Sequence, residues 1–300
     1  MSRVPTLLRD TFSHPDWLLL FVFGRFPAAR RLVAALVPNP GQAAAASERT
    51  SADALASASI PAVVATLRRH GICTGLRLPP ATVEAIREFA ESNPCFGGQE
   101  WRVGFLPQEH AGAERRHGSK LLVGLLPDPD RNCAAVAEVV RNRWLHAVAG
   151  EYLGAAPKVI DVRLWWSFPS SDPSWSDLRQ AAQETFHFDL ADWGQLKFFF
   201  YINDVGALNG PHVYVRGSHA RRPLSHQFTL FVGKTDAEIA AAYGPDAIQT
   251  VTGPAGTGFA EDVFGFHKAP AIREGRRLAL EVSFGITGRL RRRAFGEAAH

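Results

Sequence analysis

The length, composition and charge of the chain limit the classes of protein to which it can belong. It has 300 residues, of which 46% are hydrophobic, and a formal net charge of +4 at pH 7. This length suffices for one sizeable hydrophobic core. Basic residues are spread along the chain, whereas a nucleic-acid-binding protein gathers its charge on one face or helix. We therefore expect no nucleic-acid partner.

Cysteine spacing and hydropathy indicate the compartment. Cys73, Cys95 and Cys133 are odd in number and lack paired spacing such as Cys-x-x-Cys, which argues against a disulfide framework and against a structural zinc site. The apolar run from Leu18 to Phe23 is much shorter than the ~20 residues that span a bilayer. The sequence thus predicts a cytoplasmic protein without a transmembrane segment, and it carries no signal of oligomeric state.

The first half of the sequence has helical periodicity. Residues 1–58 are interpreted as an N-terminal helical extension that ends in a small, polar linker. Apolar residues then recur at helical spacing in three segments, which run from about Ser59 to Gly71, from Pro80 to Glu91 and from Asn132 to Leu153. Residues 59–300 are expected to form one domain.

The second half changes to β-rich segments that Pro and Gly interrupt. Six candidate strands follow Gly154, and their sequences are VIDVRLWWSF, LKFFFYIN, HVYVRG, IQTVTG, GFAEDVFGFH and RLALEVSF. Strands gathered in this way, without alternating helices, are typical of an antiparallel sandwich. The predicted fold class is mainly β with flanking helices, built on a double-stranded β-helix (a cupin-like jelly roll) over about residues 157–285.

A His-x-Asp sequence in the β-rich half is a candidate metal-binding segment. His187 and Asp189 are two residues apart, so on a strand both side chains point to the same face. A second example, His14-Pro15-Asp16, shows that the pattern alone is weak. Pro15 favours a turn and the following residues are helical in pattern, so Asp16 is better explained as a helix-start residue.

The third ligand must come from a distant strand. The downstream candidates are His212, His219, His226 and His267. His267 is preferred because it ends the candidate strand GFAEDVFGFH, whereas His212 and His219 lie in a Gly/Pro-rich loop whose internal hydrogen bonds explain them better. Two imidazoles and one carboxylate on one face of the metal are the ligand set of non-haem Fe(II) oxygenases. The predicted metal ligands are therefore His187, Asp189 and His267.

Arginine residues that follow His267 are candidate cosubstrate ligands. If GFAEDVFGFH pairs with RLALEVSF as an antiparallel hairpin, His267 lies near Arg276 and Arg277. 2-Oxoglutarate chelates iron through its oxo-acid end, and arginine can grip its far carboxylate with two parallel hydrogen bonds. Arg277 is the preferred partner and Arg276 the alternative, because adjacent strand residues face opposite ways. Lys197, on LKFFFYIN, is a second candidate cation.

These motifs resemble the phytanoyl-CoA dioxygenase family of Fe(II)/2-oxoglutarate oxygenases. The resemblance rests on HFDL, on LKFFFYINDVGALNGPHVYVRGSH and on DVFGFHKA followed by RRLALEVSF, and it spans roughly residues 59–284. It implies that His187, Asp189 and His267 bind Fe(II) and that Arg277 binds 2-oxoglutarate. Halogenases of the family have a small residue in place of the carboxylate, so Asp189 implies hydroxylation with O2, coupled to decarboxylation of 2-oxoglutarate to succinate.

The sequence does not identify the substrate. Arg163, Trp175 and Trp193 flank the metal segment and are candidate pocket residues, which suggests an acidic or aromatic small molecule. Two alternatives to the oxygenase are a jelly-roll binding module without catalysis and a metal-dependent hydrolase with the same ligand set. The hydrolase would have no need of Arg277.

Overall fold

The computed structural model describes residues 15–37, 55–98, 101–169, 185–227 and 233–288. Among these residues the strands are β1 (Ile72–Arg77), β2 (Cys95–Gly97), β3 (Val103–Phe105), β4 (Val123–Leu126), β5 (Lys158–Ser167), β6 (Gln195–Tyr201), β7 (His212–Val215), β8 (Ile248–Val251), β9 (Thr257–Glu261), β10 (His267–Lys268) and β11 (Arg277–Gly285). The helices are α1 (Pro15–Phe23), α2 (Pro27–Leu36), α3 (Ile60–His70), α4 (Pro80–Ser92), α5 (His110–His117), α6 (Pro129–Asn132), α7 (Ala134–Arg141), α8 (Arg143–Leu153), α9 (Leu224–Gln227) and α10 (Asp236–Tyr243), with 3₁₀ turns at Pro107–Glu109 and Pro245–Ala247.

Two antiparallel sheets form the body of the protein. The large sheet has the strand order β1-β9-β6-β11-β5-β4-β2-β3, and the small sheet has the order β10-β7-β8. Every pair of neighbouring strands is antiparallel. The predicted fold class, a jelly roll with flanking helices, is confirmed. The short strands β1 to β4, which extend the large sheet at both edges, were not expected from the sequence.

Alternation along β11 separates an apolar face from a polar one. Leu278 and Leu280 belong to the main hydrophobic core, which also contains buried residues of the helices. Arg277 and Glu281 lie on the opposite face, because successive residues of a strand point to opposite sides. Both are buried although they are charged. Since buried charges are costly, the inner face of the large sheet differs from an ordinary apolar sandwich core.

The predicted helix between Asn132 and Leu153 is divided in the structure. At Asn142 the backbone becomes extended, with ψ at 120°, and α8 begins at the next residue. The side-chain oxygen of Asn142 accepts a hydrogen bond from the backbone N–H of Leu145 at 3.2 Å. Asparagine at this position caps a new helix more favourably than it continues the old one. The other two predicted helices are present as α3 and α4.

The predicted hairpin between GFAEDVFGFH and β11 is wrong. Instead, β9 lies in the large sheet between β1 and β6, and His267 begins β10 in the small sheet. A turn between them is closed by Asp262, whose Oδ1 accepts from the N–H of Phe264 at 3.0 Å and whose carbonyl accepts from Gly265 at 2.9 Å. Aspartate and glycine are common turn residues for this reason. The chain thus crosses from one sheet to the other just before the predicted metal ligand.

The N-terminal helices pack near this crossover. Arg30 donates a hydrogen bond to the carbonyl of His219 at 3.2 Å, and its guanidinium lies 3.5 Å from the ring centroid of Phe264. Residues 38–54, which include most of the predicted linker, lie outside the described residues, so the domain division after residue 58 stays a prediction. Within the described ranges, no helix is long and apolar enough to cross a membrane.

The crossover generates a test of stability. A Cβ added at Gly265 would overlap the hydroxyl of Tyr214, which donates to the Asp262 carbonyl at 2.8 Å. We expect Gly265→Ala to lower the free energy of unfolding by about 1–3 kcal/mol, as overpacking does in other cores. Gly150→Ala is the control, because its Cβ would only touch Pro157 at 3.4 Å within a helix. Equal stability of the two variants in chemical denaturation would contradict this account.

Candidate metal centre

The imidazoles of His187 and His267 lie side by side at the edge of the small sheet. The N–H of each residue donates to the carbonyl of the other at 2.9 Å. Directly opposed residues of an antiparallel pair point to the same face. The two ring centroids are accordingly 4.6 Å apart. One pair of backbone hydrogen bonds therefore brings together two side chains that are far apart in the sequence.

Both imidazoles are oriented by their own backbone. The Nδ1 atom of His187 lies 3.1 Å from the carbonyl oxygen of Thr185, and that of His267 lies 3.0 Å from the carbonyl oxygen of Gly265. A carbonyl can only accept, so Nδ1 carries the proton on each neutral ring. The lone pair is then on Nε2, where a metal can bind. A hydrogen bond from the second ring nitrogen to a backbone carbonyl is usual for metal-binding histidines.

Asp189 completes the cluster. Its N–H donates to the carbonyl of Val263 at 2.8 Å, which ties the segment after His187 to the crossover. Phe186 is buried in a separate apolar cluster of the small sheet and anchors the segment there. One ligand atom from each of His187, Asp189 and His267 lies within 4.8 Å of the others. The structure therefore brings together the three ligands predicted from the sequence.

Electrostatics favour the metal-binding protonation states of these groups. Burial by itself raises the pKa of the Asp189 carboxyl, but the charge of Lys197 and the neighbouring histidines hold that pKa well below its usual range. Burial lowers the pKa of His267 to about 4. The carboxylate is thus charged and the His267 imidazole neutral near pH 7. These are the forms that donate electron pairs to a metal.

Lys197 lies against Asp189. Its Nζ is 2.8 Å from Asp189 Oδ2 and 3.1 Å from Glu281 Oε1. Burial lowers the pKa of the ammonium group, but the two carboxylates outweigh burial and raise the pKa above its usual value. The side chain of Glu281 also accepts a hydrogen bond from Ser283 Oγ at 3.0 Å. Lys197 is therefore a charged side chain that already has two carboxylate partners.

A buried His–Glu pair lies beside the predicted metal ligands and was not predicted from the sequence. His212 was assigned to a loop, but it lies on β7 with its Nε2 2.6 Å from Glu261 Oε2. Its ring stacks on that of His267 with centroids 5.6 Å apart. Burial lowers the pKa of His212 to about 3 and raises the pKa of Glu261 to about 7. The sequence pattern that could have placed His212 on a strand is the alternation in HVYV, which puts His212 on the same face as Tyr214.

Arg277 is a buried cation on the inner face of the large sheet. One Nη donates to the carbonyl of Gly210 and the other donates to Ser167 Oγ at 3.1 Å. In the part of the chain that the structure describes, no carboxylate lies within salt-bridge distance of this guanidinium, and its buried Nε has no hydrogen-bond partner. Burial lowers the pKa of Arg277. A buried guanidinium in this state is suited to an anionic ligand.

Arg276 has different surroundings. Its guanidinium lies 4.4 Å from the ring centroid of Trp166, which is a residue of the main hydrophobic core. One Nη is 3.4 Å from Glu91 Oε1 on α4. These contacts place Arg276 on the helix side of the sheet, away from the face that carries Arg277.

The predicted pocket residues are not brought together among the described residues. Arg163 is half exposed and forms an ion pair with Asp161, with Nε and Oδ2 2.7 Å apart. Trp193 is partly buried and packs against the main hydrophobic core. Trp175 lies outside the described residues. The structure therefore leaves the substrate pocket a prediction.

Comparisons with known proteins agree with the fold. No protein-family model and no curated protein matches the sequence. The structure is similar to that of SnoN, a non-heme alpha ketoglutarate dependent epimerase from nogalamycin biosynthesis, with a TM-score of 0.51 and 16% identity over 75% of this chain and 82% of SnoN. It is also similar to AviO1 from Streptomyces viridochromogenes Tue57, with a TM-score of 0.51 and 16% identity over 76% of this chain and 96% of AviO1. HygX from Streptomyces hygroscopicus, with nickel, 2-oxoglutarate and hygromycin B bound, has a TM-score of 0.50 and 14% identity over 75% of this chain and 87% of HygX. At these identities the similarity shows a shared fold.

The two His-x-Asp sequences provide a matched test of the metal centre. We expect Asp189→Ala to weaken Co(II) binding at least about 100-fold, because it removes the charged ligand of the three. Asp16→Ala, in the other His-x-Asp sequence, should bind Co(II) as the unmodified protein does. Titration monitored by calorimetry measures both affinities. Equal Co(II) affinities in the two variants would show that Asp189 is not a metal ligand.

Proposed function

We propose that the protein is an Fe(II)- and 2-oxoglutarate-dependent oxygenase that acts on a small organic molecule. The observation that carries the proposal is the combination, on the inner face of the jelly roll, of a His-Asp-His cluster with the buried guanidinium of Arg277. Within the described residues this guanidinium has no carboxylate partner. A metal site alone is compatible with many reactions. The buried guanidinium of Arg277 in addition favours a reaction with an anionic cosubstrate.

The residues fit an Fe(II) ion. Two imidazoles whose Nδ1 atoms face backbone carbonyls, together with one ionised carboxylate, are the donor set of the 2-His-1-carboxylate facial triad, which leaves other metal positions open. His187, Asp189 and His267 would hold the ion. A structural zinc site would have four protein ligands, whereas this cluster has three. The number and type of donor atoms therefore fit a catalytic metal better than a structural zinc ion.

Arg277 would hold the far carboxylate of 2-oxoglutarate. It lies on the same face of β11 as Glu281, four residues away, which corresponds to about 13 Å along a strand. Glu281 is next to Lys197 and Asp189, so Arg277 is separated from the metal cluster but faces the same space. The free Nε and the fork geometry of arginine suit a carboxylate. Lys197 and Arg276 are already paired with carboxylates, which favours Arg277 over both.

Bound iron would supply the activation of O2, coupled to the decarboxylation of 2-oxoglutarate to succinate. The chain's own residues set the conditions for that chemistry. His187, Asp189 and His267 would hold the ion, and Arg277 would orient the cosubstrate. Buried aromatic side chains, among them Phe199 and Phe259, fill much of the space between the sheets and exclude bulk water.

Hydroxylation is the reaction that we propose. It is supported by Asp189, because halogenation in this class of enzyme requires the position that the carboxylate occupies. Membership of the phytanoyl-CoA dioxygenase family is part of the proposal and rests on the sequence motifs around His187 and His267. The expectation of an acidic or aromatic substrate is also retained as a proposal, although Arg163 is already paired with Asp161.

The proposal predicts a specific role for Arg277. Arg277→Leu should raise the Kd for 2-oxoglutarate about 10- to 100-fold, because a hydrogen-bonded charged pair contributes about 1.5–3 kcal/mol. Arg276→Leu, at the next position but on the other face, should leave that Kd unchanged. Anaerobic titration of the Fe(II) protein with 2-oxoglutarate, followed by the visible absorption band of the chelate, measures both values.

Turnover of 2-oxoglutarate to succinate in air, with small acids, amino acids and acyl thioesters as candidate substrates, tests the reaction itself. A protein that binds Fe(II) but shows no visible band with 2-oxoglutarate would contradict the oxygenase and favour a metal-dependent hydrolase. A protein that binds neither would favour a binding module without catalysis.

A further inference from the structure

The ammonium group of Lys197 connects a predicted metal ligand to a second carboxylate inside the jelly roll. Lys197 lies on β6, and its Nζ contacts Asp189 Oδ2 at 2.8 Å and Glu281 Oε1 at 3.1 Å. The side chains of Lys197 and Glu281 are 9% and 5% exposed. Ser283 Oγ donates to the same Glu281 oxygen at 3.0 Å. The three charged groups therefore form a chain that ends at Asp189, and its members Lys197 and Glu281 are buried.

This arrangement is costly for the fold. Taking an ammonium group and a carboxylate out of water has a large desolvation cost, and apolar residues of similar size often stabilise a protein equally well or better. The neighbouring inner-face residues of the large sheet include Phe199 and Phe259, which show that apolar packing is accommodated there. Fold stability alone thus gives no reason for Lys197 and Glu281.

Among the described residues, the side chain of Asp189 has few contacts besides Lys197, and His267 Nε2 lies 4.0 Å from its Oδ2. Asp189 follows a segment that pairs with the small sheet only at His187, and its own backbone makes one described hydrogen bond, to Val263. Its side chain is 30% exposed, and among the described side chains Lys197 is its hydrogen-bond donor. Without that donor the carboxylate could rotate about its side-chain torsions.

We propose that Lys197, backed by Glu281, is a positioning residue that fixes the carboxylate orientation of Asp189 for metal binding. This inference rests on the proposed function and deepens it. Glu281 has a distinct part in it. A lysine paired with Asp189 alone would cancel the ligand's charge, whereas a second carboxylate leaves the three groups with one net negative charge near the metal.

A charge-neutral double variant isolates the orienting effect. Lys197→Met with Glu281→Met removes one positive and one negative charge, so it leaves the net charge of the site unchanged and leaves neither partner buried alone. We expect it to fold, to bind Co(II) about 10- to 100-fold more weakly, as the loss of groups that orient ligands typically does, and to show an altered visible Co(II) spectrum. Arg87→Met with Glu84→Leu, an exposed ion pair on α4, is the matched control and should change neither property.

A second variant keeps the test decisive if the double variant does not fold. Glu281→Gln retains an oxygen that accepts from Lys197 but removes the charge, so it should weaken Co(II) binding several-fold while the melting temperature stays close to that of the unmodified protein. A purely structural ion pair would give the opposite pattern, a lower melting temperature with unchanged Co(II) affinity.

Unchanged Co(II) affinity and spectrum in a folded double variant, or in Glu281→Gln, would overturn the inference. The measurement needs no 2-oxoglutarate. If the unmodified protein binds Co(II) but gives no visible band with Fe(II) and 2-oxoglutarate, the proposed function fails while the role of Lys197 is still decided by Co(II) binding. If the band is normal and the double variant is unaffected, only the role of Lys197 fails.

Discussion

The reciprocal backbone hydrogen bonds between His187 and His267 determine where the predicted metal ligands lie. They set two strand segments side by side at the edge of the small sheet and direct both imidazoles into the space between the sheets. Asp189 follows two residues later on the same side. Lys197 and Arg277 come from the large sheet that faces them. The position of each functional group is therefore defined relative to this one backbone pairing.

The inner space of the jelly roll carries charge where a sandwich usually carries hydrocarbon. Lys197, Glu261, Glu281 and Arg277 are all buried. Lys197 has two carboxylate partners and Glu261 is hydrogen-bonded to His212, so ion pairs and hydrogen bonds offset part of the desolvation cost. Arg277 differs, because its described contacts are neutral acceptors only. Lys197, Glu261 and Glu281 therefore organise the site through contacts with one another and with nearby side chains. Arg277, which has no described carboxylate partner, is the group suited to an anionic ligand.

Much of this could be predicted from the sequence, because the relevant signals are local. β-Rich segments between Pro and Gly located five of the six candidate strands as single strands. The period of two along a strand placed His187 and Asp189 on one face, and the choice of Arg277 over Arg276 followed from the same alternation. The hairpin prediction failed because GFAEDVFGFH contains two strands, and the turn at Asp262 that separates them depends on side-chain and glycine contacts that periodicity does not reveal. The pairing partners of Lys197 and His212 depend on how the two sheets face each other, which is long-range information. The break at Asn142 was missed because its capping bond interrupts an otherwise regular apolar stripe.

The crossover from β9 to β10 has a consequence for the order of folding. The two halves of the predicted metal centre belong to segments that are distant in the chain, and the strand before His267 lies in the other sheet. Contacts between distant segments form late, because the entropy of closing a long loop must be overcome first. His187 and Asp189 supply two of the predicted ligands from one segment, and His267 joins them only when the two segments pair. The predicted three-ligand site is therefore complete only in the assembled jelly roll.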